Sequence, residues 1–188
     1  IPIIEEVVAG GVNFIQIREK DLSFPELEKF YYQLTNRLEN NPLISINVTQ
    51  FTDGFGPNCL LHFPERVKLN PLDGMPKFGQ SIHSVQGAIT AQENGASYLH
   101  AGTIFDSKSH PGRSGAGTNY LTRVCESVTI PTIGIGGIDE TNAEQIIYAG
   151  ASGIAVISTL LESKNPYISA SKIHQLILAA WKDNTSET

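Results

Sequence analysis

Thr-Ile-Gly-Ile-Gly-Gly-Ile at 132–138, followed by Gly-Ile-Ala-Val-Ile-Ser at 153–158, is the stretch that decides how this chain reads. Each segment is a short apolar run that ends in small residues just before a stretch with helical spacing, as at the strand-to-helix turns of a parallel α/β protein. Such turns leave bare backbone N–H groups where an anion can sit. Two in succession, late in a parallel barrel, mark the place of a phosphate clamp. Gly134, Gly136 and Gly137 would also serve close packing alone, but their repetition before two helices favours phosphate.

Working outward, β-branched runs alternate with helical stretches along the whole chain. The strands are expected at 13–18, 43–47, 59–63, 78–83, 98–102, 132–136 and 153–158, several apolar almost throughout, as in a sheet covered on both faces. Ser23 and Glu26 form a capping box for a helix carrying Leu27, Phe30, Tyr31, Leu34 and Leu38 on one face. Further helices are expected over 142–149 and along the stripe Ile173, Leu176, Ile177, Ala180 and Trp181. Ile3, Ile4, Val7 and Val8 share a face before Gly10-Gly11, so the chain opens on what reads as the helix after a first strand. The fold expected is therefore α/β, a TIM (β/α)8 barrel with its first strand missing from the sequence as given, in one domain over 1–188. An open doubly wound sheet is the alternative.

With 40% apolar and 17% charged residues in 188, the chain can bury a substantial core. A formal net charge of −6 argues against a nucleic-acid partner. The apolar stretches are strand-sized and there is no cationic leader, so neither a membrane span nor a secretory signal is expected, and the location expected is cytoplasmic. Cys59 and Cys125 form no metal or redox spacing and read as reduced packing residues. A homodimer is the default expectation for a barrel with apolar helix faces.

Gln16, Arg18 and Lys20 alternate at the end of the first visible strand, which would send all three into the mouth of a barrel. Buried together they need an anion, unless Glu19 or its neighbours supply an ion-pair network. The loop from Thr103 through Ser107, Lys108, Ser109 and His110 offers hydroxyls and a cation to an anionic substrate, or is a solvated surface loop. His62 and His83 close two strands; Ser81 shares a face with His83, which ranks it above His62 as a proton carrier.

The strings Gly-Val-Asn-Phe-Ile-Gln-Ile-Arg-Glu-Lys-Asp at 11–21, Gly-Gln-Ser-Ile-His-Ser at 79–84, Ala-Gly-Thr-Ile-Phe at 101–105, Ile-Gly-Gly-Ile at 135–138 and Ala-Val-Ile-Ser at 155–158 resemble, in order, the thiamine phosphate synthase and TenI superfamily. The resemblance implies a TIM barrel. For the synthase branch it implies joining a thiazole phosphate to a pyrimidine pyrophosphate with magnesium. Gln16, Arg18 and Lys20 would face the pyrimidine and pyrophosphate, Gly136, Gly137, Ile157 and Ser158 would hold the thiazole phosphate, and Ser107 and Ser109 match two loop hydroxyls with Lys108 between them. Asn47 matches the synthases' Asn, but Val48 stands where they carry a magnesium-binding Asp. Arg66 stands among their acidic residues, and His110 replaces a lysine.

The TenI branch resembles the same barrel without a metal, isomerising a thiazole carboxylate phosphate, although Thr103 stands where that branch carries a histidine. The expectation is a metal-free, TenI-like thiazole tautomerase acting on a phosphorylated thiazole. Arg18 and Lys20 would hold the substrate carboxylate, and His83, His110 or Lys108 would move the proton. One alternative is a divergent magnesium-dependent synthase with ligands among Asp21, Asp53 and Glu65. The other is a noncatalytic phosphate-binding regulatory barrel.

Overall fold

The computed structural model describes residues 1–52, 55–56, 58–69, 77–107 and 114–186. Seven strands, β1 (Phe14–Ile17), β2 (Leu43–Asn47), β3 (Cys59–Phe63), β4 (Phe78–Ile82), β5 (Tyr98–Gly102), β6 (Thr132–Ile135) and β7 (Gly153–Ala155), pair in parallel in chain order. The register runs Gln16 beside Ser45, Asn47 beside His62, Ser81 beside His100 and Ile135 beside Ala155. Sequential order throughout, with crossovers between neighbours, is the topology of a barrel.

Ring contacts show that the sheet curls on itself. Phe14 on β1 and Tyr98 on β5 bring their rings to 5.3 Å between centroids, and Phe14 reaches His100 at 6.3 Å. In a flat sheet, four strand spacings would hold those positions roughly 19 Å apart. Side chains of the first and fifth strands therefore meet across an interior, which rules out the open doubly wound alternative. The architecture is a TIM-like barrel, of seven strands among the described residues, as the sequence leads one to expect.

Helices α1 (Pro2–Ala9), α2 (Phe24–Thr35), α3 (Val85–Glu93), α4 (Thr118–Ser127), α5 (Ala143–Tyr148), α6 (Ser158–Leu161) and α7 (Pro166–Ser186) accompany the strands. The capping box holds α2: the Ser23 N–H donates to Glu26 Oε2 at 2.8 Å, and Leu27, Tyr31 and Leu34 are buried. Helix α1 packs on α7, with Val7 and Val8 buried, so the first and last helices meet. On α7, Ala170, Ile173 and Ala180 are buried, whereas Trp181, placed on the core stripe by spacing, is 45% exposed. Burying such a surface stripe, rather than helix propensity, is what holds helices of this length in place. No helix among the described residues is long and apolar enough to cross a membrane.

Candidate functional site

Two cavities lie over the C-terminal ends of the strands, where parallel barrels carry their chemistry. The first, of about 360 Å³, sits beyond β5, β6 and β7 and is lined by Ser107, Gly137 and Ser158 together with Asp106, Asp139, Thr159 and Glu162. Backbone geometry builds its floor. Gly136 and Gly137 take φ of +105° and +64°. A Cβ on Gly136 would run into Thr103, and one on Gly137 would run into the carbonyls of Phe105 and Asp106. Both positions thus demand glycine for conformation and for space.

The carbonyls of this turn are all committed. Gly136 O accepts from Phe105 N at 3.0 Å, Gly137 O from Asn142 Nδ2 at 2.9 Å and Ile138 O from Thr159 Oγ1 at 2.9 Å. Two of the lining carboxylates are committed as well: Asp106 Oδ1 accepts from Gly115 N at 2.7 Å, and Asp139 Oδ1 from Thr141 N at 2.8 Å and its hydroxyl at 2.6 Å.

The second cavity, of about 590 Å³, lies over β1, β2 and β3. Arg18, Lys20 and Arg66 line it with Asn47, Val48 and the apolar Phe24 and Phe51, and Glu19 is the carboxylate among its lining residues. Spacing expects Arg18 and Lys20 to be buried inside the barrel; both are instead exposed, because β1 ends at Ile17 and the chain is already in the loop. Among the described residues none of the three cations has an ion pair.

Beneath the mouth lies a polar layer that single-strand reading does not reveal. His62, fully buried, has Nδ1 3.1 Å from Tyr98 Oη and Nε2 2.8 Å from Ser81 Oγ, and its ring stands 4.5 Å from that of His100. Burial, and then the charges of His100 and Arg18, lower the His62 pKa from 6.5 to about 2; burial alone lowers that of His100 to about 4. Burial also pushes the Tyr98 phenol up. Both imidazoles are thus neutral near pH 7. Among the described residues, Gln16 Nε2 on β1 is buried without a hydrogen-bond partner. The alternation Tyr98, His100, Gly102 on β5 was the signal that could have found His100.

Of the other expected site residues, Asn47 lines the second cavity, and Ser107 and Ser158 line the first. Thr103 packs against Gly136, and its carbonyl accepts from Ala116 N at 2.9 Å. Ile157 precedes α6 and is 53% exposed. His83 lines neither cavity; its Nδ1 is 2.6 Å from Glu65 Oε2, and its N–H donates to Glu65 Oε1 at 3.2 Å. Lys108, Ser109, His110 and Asp53 lie outside the described residues. Among the described residues no cluster of three or more His, Cys, Asp or Glu side chains could hold a metal ion.

Known proteins resemble this chain in sequence and in fold. Residues 74–160 match the family described as thiamine monophosphate synthase. A thiamine-phosphate synthase of Clostridium acetobutylicum is 34% identical over 167 residues, covering 86% of this chain and 79% of that protein. One of Coprothermobacter proteolyticus is 34% identical over 186 residues, covering 90% and 83%. In structure, a thiamine phosphate pyrophosphorylase from Pyrococcus furiosus superposes with a TM-score of 0.81 at 24% identity, over 95% of this chain and 89% of that one, a likeness of fold.

Proposed function

Because this chain belongs to the thiamine monophosphate synthase family, we propose that it joins a pyrimidine pyrophosphate to a thiazole phosphate. The thiazole ring nitrogen forms a bond to the pyrimidine's methylene carbon. The bond from that carbon to the pyrophosphate oxygen breaks, and its electron pair leaves on pyrophosphate. The observation that carries this reading is the pairing of two unlike cavities over one sheet: one rimmed by Arg18, Lys20 and Arg66, the other floored by Gly137 and edged by Ser107 and Ser158. A coupling of two anionic substrates needs a place for each.

In this reading the whole chain, 1–188, works as a single barrel. Arg18 and Lys20 hold the pyrophosphate, Gln16 and Asn47 face the pyrimidine, and Gly136, Gly137, Ile157 and Ser158 with the hydroxyl of Ser107 hold the thiazole phosphate. Both groups are fixed before reaction, so the barrier falls through positioning and through charge placed where the leaving group develops it. The neutral His62 and His100 layer closes the barrel beneath without adding a charge. His83 stands outside the machinery, so the tautomerase reading loses one of the proton carriers expected for it.

The test is direct. The purified chain, given pyrimidine pyrophosphate and thiazole phosphate, should form thiamine phosphate, detected by its fluorescent oxidation product. No product at high enzyme, with or without magnesium, ends the proposal. Isomerisation of thiazole carboxylate phosphate in its place would restore the tautomerase.

A further inference from the structure

Magnesium does not fit the described residues that line the second cavity. The ion takes hard oxygen ligands, usually one or two carboxylates beside the substrate phosphates. Here the residue following Asn47 is the apolar Val48, and Glu19 is the carboxylate among the cavity's described lining residues, which also include Arg18, Lys20 and Arg66. Glu65, which the chain places next to Arg66, has both oxygens engaged by His83. Among the described lining residues, a dication entering this cavity would meet three cations against one carboxylate, an unfavourable balance at short range.

From this arrangement we infer that Arg66 takes the place of a metal: the cavity binds the diphosphate of its substrate through Arg18, Lys20 and Arg66, without a divalent ion. The inference rests on the coupling reading for the identity of the diphosphate. Its physical basis is independent of that reading. Guanidinium groups offer paired N–H donors matched to phosphate oxygens, and among the described residues no carboxylate neutralises any of the three cations. When the carbon–oxygen bond breaks, the departing pyrophosphate gains a further negative charge. A cation that is already fixed beside it stabilises that state more than the bound substrate.

The experiment uses inorganic pyrophosphate as probe and the whole chain as receptor, by titration calorimetry in EDTA and again in magnesium. The expected result is binding in EDTA within threefold of that in magnesium. Arg66→Gln should weaken it at least tenfold, Arg66→Lys should keep most of it, and Arg66→Asp should bind only when magnesium is added. Arg66 is exposed, so the variants should unfold at the wild-type temperature, and this is checked by circular dichroism. Binding by the wild type that requires magnesium, or an Arg66→Gln variant that binds normally, overturns the inference. Coupling assays run beside the titrations separate the two readings. Product formed only with magnesium sinks this inference and spares the synthase. Pyrophosphate bound in EDTA without any product spares the inference and sinks the synthase.

Discussion

Glu65, in the turn after β3, and His83, one residue past β4, are locked to one another: Nδ1 lies 2.6 Å from Oε2, and the His83 backbone N–H reaches the other oxygen at 3.2 Å. One contact therefore withdraws two candidate groups from the barrel mouth. It removes a carboxylate that could have served a metal and an imidazole that could have carried a proton.

His83 should accordingly be dispensable. In His83→Ala, kcat and KM for coupling should stay within about twofold of wild type, since its half-exposed contact with Glu65 contributes roughly 0–1 kcal/mol to stability and nothing to the reaction. Steady-state kinetics decide it, and a tenfold fall in kcat would return His83 to the mechanism.

Gly137→Ala should damage the phosphate cavity. Its φ of +64° costs an L-residue about 1–2 kcal/mol, and the new methyl would press on the Phe105 and Asp106 carbonyls. The expected outcome is a KM for thiazole phosphate at least tenfold higher, with a smaller effect on the KM for the pyrimidine substrate and a Tm several degrees lower. Equal loss for both substrates would mean that the turn serves the fold alone.

The buried histidines predict acid lability. Both have pKa values depressed below the ordinary 6.5, to about 2 for His62 and about 4 for His100. Below pH 6.5 the unfolded chain binds protons that the folded one refuses, so the stability they allow is complete above that pH and is lost as pH falls through 6 to 4. Each histidine approaches about 1.4 kcal/mol per pH unit in that window. Urea unfolding at pH 7.5, 6 and 5 should show the decline, and His100→Asn should roughly halve its slope. A flat profile would mean that the imidazoles are not buried as described.

The two cysteines should be inert in the native state. Burial pushes the Cys59 thiol up to about 12 and that of Cys125 to about 11, which leaves little thiolate near pH 8. Iodoacetamide at pH 8 should modify neither within an hour and both in urea, as read by intact mass. Rapid native labelling would contradict their burial.

Strands 43–47, 59–63 and 98–102 fall where the short apolar runs put them. The ends are less legible. Arg18, His83 and Gly136 each lie one residue beyond a strand, and the run 153–158 leaves the sheet at Ala155 because Ser158 already starts α6. Alternation fixes which way a side chain points only while the ladder of backbone hydrogen bonds continues. Past its last rung the loop sets direction, so Arg18 and Lys20 line an open cavity rather than a buried one.

What the sequence determined by itself was the order of strands and helices, the glycines whose backbone no other residue could adopt, and the family those strings belong to. Only the tertiary structure decided that Phe14 meets Tyr98 across the interior, that His62 and His100 form one neutral layer, and that Glu65 holds His83 while Arg66 lines the cavity. The reason is physical. Local preferences act over a few residues, but which charge neutralises which depends on distances between segments that meet only when the sheet has curled.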